Sequence, residues 1–250
     1  MKKILLINGG ILIGDTFHLI PFFELYKEYD ITWVTGTYSQ HASKCIQYYY
    51  PNISKLIIIE DGIPNDISHR EKFKDNIINN KNIDTKEYDI IIDKINLSFD
   101  FNQDIGYKHL PINNNIVKLE PYIVVQQECV HNFKKIQALY DVKFPIKAYS
   151  ICTKNQFAID NTIRFEGSLI EISKLIAGCT LFVGIHSGIN CLAYYIPNIK
   201  GITLHFWDGL LEFSNYRNDG SWIDLKRSDC TKKNIEENIN KMLEVHNAII

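Results

Sequence analysis

Residues 168–188 read SLIEISKLIAGCTLFVGIHSG, and this stretch decides the fold class because a helix, a strand and the start of a second helix follow one another within it. Ser168 and Glu171 have the spacing of a capping box, which marks the first turn of a helix. Gly178 is placed to end that helix. The apolar run 180–183 is typical of a strand that is covered on both faces. The stretch therefore predicts an α/β fold with a parallel sheet.

The same alternation extends in both directions along the chain. We predict strands at 3–7, 31–35, 55–59, 88–93, 122–126, 147–152, 162–165, 180–183 and 200–205. A helix is predicted after the first strand, with Pro21 near its first turns, because its apolar positions include Phe17, Ile20, Leu25 and Tyr29. Further helices are predicted at 39–50, 66–80, 130–140, 169–177, 188–195 and 232–247.

A break in this alternation divides the chain. Residues 105–121 contain two prolines and three consecutive asparagines, which indicates a linker. We therefore predict two Rossmann-like domains, 1–115 and 116–230, that face each other across a cleft and each contain a parallel sheet. The final segment, 231–250, is predicted to be helical and is a candidate to pack back on the first domain. Ligands of open α/β sheets bind in such crevices, at the carboxyl ends of the strands.

Composition excludes several classes of protein. The net charge of the 250 residues is −2, which provides no bulk attraction for nucleic acid. Six scattered cysteines without a C-x-x-C pair are typical of reduced thiols in a cytoplasmic protein. We interpret the opening apolar run as a buried strand rather than a signal peptide, because no cleavage site of small residues follows. No run approaches the roughly 18 apolar residues of a membrane-spanning helix.

Two turns carry the residue types of a ligand site. In NGGILIGDTFHLIP, residues 8–21, Gly9 and Gly14 fit a dinucleotide fingerprint, but Ile11 stands where its middle glycine is required. Asp15 opens the helix that follows and is either a first-turn dipole partner or a reactive carboxylate. In the second half, Ser187 and Gly188 open a helix after a buried strand, where amide groups either receive a cap or hold an anion such as a diphosphate.

At these turns the sequence resembles a known family. SLIEISKLIAGCTLFVGIHSGINCLAYYIP, residues 168–197, is similar to the donor-binding segment of glycosyltransferase family 9, the ADP-heptose:lipopolysaccharide heptosyltransferases. GDTFHLIP, residues 14–21, followed by a helix and DITWVTG, resembles the N-terminal segment of that family. The resemblance implies a GT-B fold, with acceptor binding by the first domain and donor binding by the second.

The activity implied by the resemblance is an inverting, metal-independent transfer of a heptose-like sugar or another hexose from a nucleoside diphosphate. The acceptor would be a hydroxyl of a glycan, a lipid-linked glycan or a protein, with no nucleic-acid partner and at most peripheral contact with a membrane. Asp15 matches the general base of the family, and Ser187 and Gly188 match its phosphate cradle. The further candidates are Gly14 and His18 on the acceptor side and Gln126, Gln127, His186, Trp207 and Asp208 on the donor side.

Departures from the family pattern keep other interpretations open. His186 stands where the family has an aspartate and favours phosphate over sugar hydroxyls, or is a structural histidine. Cys191 replaces a histidine and is expected in the core. Lys134 or Lys135 is either the expected donor lysine or a surface residue, and Trp207 either packs or stacks. The alternatives to a transferase are a sugar-nucleotide epimerase on the same fold and a non-catalytic binding subunit.

Overall fold

The computed structural model describes residues 2–8, 13–60, 74–75, 78–79, 83, 85–93, 107–112, 120–128, 135–208, 217 and 219–247. The chain divides into two compact units, Met1–Pro111 and Ile112–Ile250. Each unit contains one parallel sheet, so the predicted α/β class with two parallel sheets is confirmed. Among the described helices, none combines the length and the apolar composition needed to cross a membrane.

The first unit contains a four-stranded sheet in the order β3-β2-β1-β4. Its strands are β1 (Lys3–Asn8), β2 (Asp30–Gly36), β3 (Lys55–Ile59) and β4 (Tyr88–Asp93), and the helices that are described throughout are α1 (Ile13–Phe17), α2 (Ile20–Leu25) and α3 (Gln40–Tyr49). Leu5, Ile7 and Val34 are fully buried together in the core of this unit. Strands β1 and β2 lie in the centre of this sheet, and their apolar runs are typical of strands that are covered on both faces.

The prediction of a single continuous helix after β1 is wrong, because the structure has two short helices there. Pro21 lies in the first turn of α2. A continuous helix would bring its ring against the carbonyl group of Phe17 and would lack one hydrogen bond, so the helix restarts near the proline. Leu25 is 49% exposed, and Tyr29 lies beyond α2. Of the predicted helix 66–80, only residues 74–75 and 78–79 are described, and they are helical.

The second unit contains a six-stranded parallel sheet in the order β10-β9-β8-β5-β6-β7. The strands are β5 (Ile123–Gln126), β6 (Ala148–Ile151), β7 (Ile163–Phe165), β8 (Leu181–Ile185), β9 (Lys200–Leu204) and β10 (Trp222–Leu225). Counted within the unit, the order is 6-5-4-1-2-3, which is that of doubly wound dinucleotide-binding folds. The direction of winding reverses between β5 and β8, so the crevice of this unit opens at the carboxyl ends of these two strands.

The helices of the second unit are α4 (Gln137–Tyr140), α5 (Leu169–Gly178), α6 (Gly188–Tyr194) and α7 (Lys232–Asn247). The capping box of Ser168 and Glu171 at the start of α5 is confirmed. Ile235, Ile239 and Met242 of α7 belong to the core of the second unit. The apolar face of α7 is therefore used within this unit, and packing of the helix on the first unit stays a prediction.

One local prediction in the second unit is wrong, and one strand was not predicted. The predicted helix 130–140 begins only at Gln137, because Ile136 is extended and Lys135 forms an antiparallel bridge with Glu128. Residues 129–134, including Lys134, lie outside the described part of the chain. Strand β10 was not predicted, although it pairs with four residues of β9 at the edge of the sheet. This strand matters for the site, because it contains Asp224.

Candidate functional site

Four of the predicted donor residues lie at the point where the winding of the second sheet reverses. Gln126 is the last residue of β5 and pairs with Gly184 of β8. His186 and Ser187 directly follow β8, and Gly188 is the first residue of α6. The structure therefore brings these four residues to the carboxyl edge of two neighbouring strands, where doubly wound folds bind their ligands.

A hydrogen bond joins the two strand ends. The Ser187 hydroxyl donates to Oε1 of Gln126 at 2.8 Å, and Nε2 of Gln126 donates to the carbonyl oxygen of Glu128 at 2.6 Å. Gln126 is only 1% exposed, so both ends of its amide are occupied within the protein. Gln126 thus orients the hydroxyl of Ser187, whose oxygen is also within 3.5 Å of the Asn190 amide in the first turn of α6. Of these two side chains, that of Ser187 is the more accessible.

Gln127 is directed elsewhere. Its Nε2 donates to the carbonyl oxygen of Phe157 at 2.9 Å and to Sγ of Cys152 at 3.3 Å. Its buried Oε1 has no hydrogen-bond partner among the described residues. Burial raises the pKa of the Cys152 thiol, and the hydrogen bond from Gln127 offsets part of that shift. Gln127 therefore contacts the connection between β6 and β7, and the structure does not bring it to Ser187.

An aromatic and polar cluster lies beside His186. The rings of His186 and His205 are 5.2 Å apart, and the ring of Trp207 lies 6.5 Å from that of His186. Nε2 of His205 is 2.7 Å from Oδ1 of Asp224. Trp207 is 44% exposed, so one part of its indole faces solvent next to a half-buried histidine. The oxygen Oδ1 of Asp208 accepts a long hydrogen bond, 3.4 Å, from the Ser228 amide.

His205 and Asp224 were missed by sequence reasoning. His205 directly follows β9, and Asp224 lies in β10, which was not predicted. The signal in the sequence was an aspartate inside the short apolar run WIDL, since a carboxylate in a buried strand requires a partner.

In the first unit, Asp15 lies in the first turn of α1 and is half-buried. Gly14 precedes it in the same helix, and His18 follows α1 with an exposed fraction of 6%. Gly9 and Gly10 lie outside the described residues. Six residues separate Asp15 from β1, a central strand of the first sheet. The carboxylate of Asp15 complements the helix dipole, and its role as a base stays a prediction.

Within the described ranges, no group of three or more histidine, cysteine, aspartate or glutamate side chains is arranged to bind a metal ion. Cys191 is 4% exposed, so its predicted position in the core is confirmed. The prediction that the reaction needs no metal stays a prediction.

Known structures share this fold. No protein-family model matches the sequence, and no curated protein is similar to it at a significant level. A glycosyl transferase family 9 structure from Veillonella parvula is 12% identical and has a TM-score of 0.62, covering 91% of this chain and 86% of that chain. The E. coli heptosyltransferase WaaC with ADP is 11% identical, with a TM-score of 0.60 and coverage of 97% of this chain and 98% of that chain.

A third structure is the bacterial iron-containing dodecameric glycosyltransferase TibC from enterotoxigenic E. coli. It is 12% identical, with a TM-score of 0.57, and the alignment covers 100% of this chain and 77% of that chain. Identities this low show the fold alone. The chain therefore has the GT-B fold of the family 9 glycosyltransferases, and the predicted relationship to that family is confirmed at the level of the fold.

Proposed function

We propose that this chain is a glycosyltransferase that transfers a sugar from a nucleoside diphosphate to an acceptor hydroxyl. The observation that carries the proposal is the hydrogen bond between Ser187 and Gln126, located where the winding of the second sheet reverses. This is the ligand position of doubly wound folds. The glycosyltransferases that share the fold support the assignment, and one of these structures contains ADP.

The second unit is the donor-binding unit in this proposal. Ser187 and Gly188 contact the diphosphate, and the hydroxyl of Ser187, which donates to Gln126 in the structure, turns to donate to a phosphate oxygen. His186 stands at the position where the family has an aspartate. A carboxylate there would repel phosphate, whereas the N–H of an imidazole can donate a hydrogen bond to a phosphate oxygen. The partly exposed indole of Trp207 offers an apolar face for the base or the ribose. The proposal assigns no ligand contact to Gln127, because its amide nitrogen bonds to Phe157 and Cys152.

The first unit supplies the base. The acceptor hydroxyl attacks the anomeric carbon, its proton passes to the carboxylate of Asp15, and the bond from that carbon to the diphosphate oxygen breaks. One displacement inverts the anomeric centre and leaves the nucleoside diphosphate with the electron pair of the broken bond. Gly14 and His18 are the acceptor-side residues. The proposed acceptor is a glycan, a lipid-linked glycan or a protein hydroxyl, reached in the cytoplasm without a metal.

Calorimetry tests the donor site. We expect the protein to bind at least one of ADP, GDP, UDP and dTDP, and Ser187→Ala to weaken that binding about tenfold, the effect of one hydrogen bond to a charged group. Ser228→Ala is the matched control, because it removes a hydroxyl from an exposed residue of the same unit and leaves the backbone amide in place. Absence of binding to every nucleotide would refute the proposal.

Turnover tests the base. We expect Asp15→Asn to slow release of the diphosphate from the bound nucleotide sugar about 10²-fold to 10⁴-fold with donor affinity unchanged. An extract of cell-envelope glycans serves as acceptor, and Asp89→Asn, at an exposed position of β4, is the control. A wild-type rate for Asp15→Asn contradicts the assignment. Conversion of the donor without acceptor indicates an epimerase, and binding without turnover indicates a non-catalytic subunit.

A further inference from the structure

Four neighbouring strands of the second sheet each place one polar side chain along its carboxyl edge. Asp224 of β10, His205 after β9, His186 after β8 and Gln126 of β5 follow the spatial order of the strands. Asp224 and His205 are 2.7 Å apart, and the rings of His205 and His186 are 5.2 Å apart. Ser187, next to His186, is bonded to Gln126. The row connects a buried carboxylate with the proposed donor site.

The inner end of this row is shielded from solvent. The side chains of His205 and Asp224 are 3% and 5% exposed. A carboxylate this buried is costly unless it is paired and hydrogen-bonded, and such pairs seldom increase stability over apolar residues of similar size. Because the carboxylate accepts from Nε2 of His205, that nitrogen carries a proton, which fixes the orientation of the ring. The pair therefore affects a ligand only through the residues it contacts.

His186 is the residue through which the pair of His205 and Asp224 affects a ligand. Its ring contacts the oriented ring of His205 at 5.2 Å and the ring of Trp207 at 6.5 Å. Its backbone amide donates to the carbonyl oxygen of Leu204 at 3.0 Å, so the start of this turn is tied to the end of β9. Unlike His205, His186 is only half-buried. A ring restrained by two ring contacts and open to solvent has the features of a positioned hydrogen-bond donor.

We propose that Asp224 and His205 are positioning residues that hold the imidazole of His186 in place to bind the departing diphosphate. The inference rests on the proposed function and adds to it two residues outside the motifs of the sequence. As the bond between the anomeric carbon and the diphosphate oxygen breaks, its electron pair goes to that oxygen. The N–H of His186 stabilises the new negative charge by a hydrogen bond. The acceptor proton goes to Asp15, so the step needs no other co-reactant.

Calorimetry with a double-mutant cycle tests the inference. The probes are the nucleoside diphosphate that binds most tightly and the same nucleoside without phosphates. We expect His186→Ala to lower affinity for the diphosphate about tenfold and Asp224→Asn about threefold, with nucleoside binding unchanged. The double variant should lose about tenfold rather than the product of the two, because both changes act through one ring. His41→Ala and Asp160→Asn, at exposed positions, are the controls.

Several outcomes separate this inference from the proposed function. If the wild type binds no nucleoside diphosphate, both are wrong. If it does and the two single losses multiply, or Asp224→Asn binds as tightly as the wild type, only the positioning role is wrong. His205→Gln, which keeps a donor for Asp224 but removes the ring, replaces Asp224→Asn if the latter fails to fold. In the wild type, the diphosphate must also shift the ring ¹⁵N resonances of both His186 and His205, and an unmoved His205 would overturn the inference.

Discussion

Gly201 in β9 is a position where a single methyl group should destabilise the second unit. Gly201 pairs with Phe182 of β8 and with Trp222 of β10. The indole lies over the glycine, so that a Cβ at residue 201 would be 2.3 Å, 2.4 Å and 2.5 Å from three atoms of its six-membered ring. Carbon atoms in normal contact are about 3.5–4.0 Å apart. Trp222 is 4% exposed and stacks on Phe182 at 6.3 Å, so it has little room to move away.

The magnitude follows from three contributions to the free energy of unfolding. Alanine instead of glycine in a strand contributes about 0.5–1 kcal/mol of stability through the backbone. Forcing a methyl group into a filled core costs about 1–3 kcal/mol. Displacing the indole also weakens its hydrogen bond to Oγ1 of Thr203, which is 2.8 Å long and whose loss costs about 1 kcal/mol. We therefore expect Gly201→Ala to lower the stability of the second unit by about 2 kcal/mol.

Urea unfolding followed by far-ultraviolet circular dichroism measures this change. The matched background is Trp222→Leu, since leucine lacks the ring atoms that Gly201 contacts. Gly201→Ala should cost much less in that background than in the wild type, giving a coupling free energy of about 1–2 kcal/mol. An equal loss in both backgrounds would show that contact with the indole is not the cause. A stabilised Gly201→Ala protein would refute the packing argument altogether.

Two further outcomes are expected from local contacts. Ser168→Ala should cost about 1 kcal/mol at pH 7 by removing the cap of α5. Hydrogen bonds from Ser168 lower the pKa of Glu171, so the stability that ionised Glu171 contributes is present above the pKa of the unfolded state and is lost as pH falls through the lowered pKa of the folded state. The urea midpoints of the wild type and Ser168→Ala should therefore differ less in acid than at pH 7. An equal difference at both pH values contradicts this reasoning. Burial raises the pKa of Cys230 to about 11, so iodoacetamide should alkylate it much more slowly at pH 8 in the native protein than in urea, as mass spectrometry would measure. Equal alkylation rates would exclude a protected thiol.

Local signals in the sequence predicted those elements whose start and end are set by their own residues. Helix α5 is such an element, since its capping box and its final glycine lie within the helix and next to it. The helix after β1 was predicted as one piece because its apolar spacing continues past Pro21, whereas the geometry of the proline ring restarts the helix at Ile20. Strand β10 was not predicted, and its position depends on packing of Trp222 against Gly201 of the neighbouring strand.

The distinction between local signals and contacts with neighbouring strands also explains which site residues were predicted. Ser187 and Gln126 were identified separately, each at the end of a predicted strand, and parallel pairing brings such ends together at one edge of the sheet. Gln127 was grouped with Gln126, but consecutive residues of an extended segment point to opposite sides, so the two amides reach different neighbours.

Asp224 is a buried carboxylate whose need for a partner can be recognised in the sequence. A carboxylate is seldom fully buried without a partner, so an aspartate between isoleucine and leucine in a short apolar run implies a cation, an imidazole or a donor group on an adjacent strand. Only the pairing of β10 with β9 identifies that partner as His205. Because apolar residues of the same volume would fill this space at a lower cost in stability, the presence of the pair beside the predicted donor site favours a role in ligand binding over one in folding.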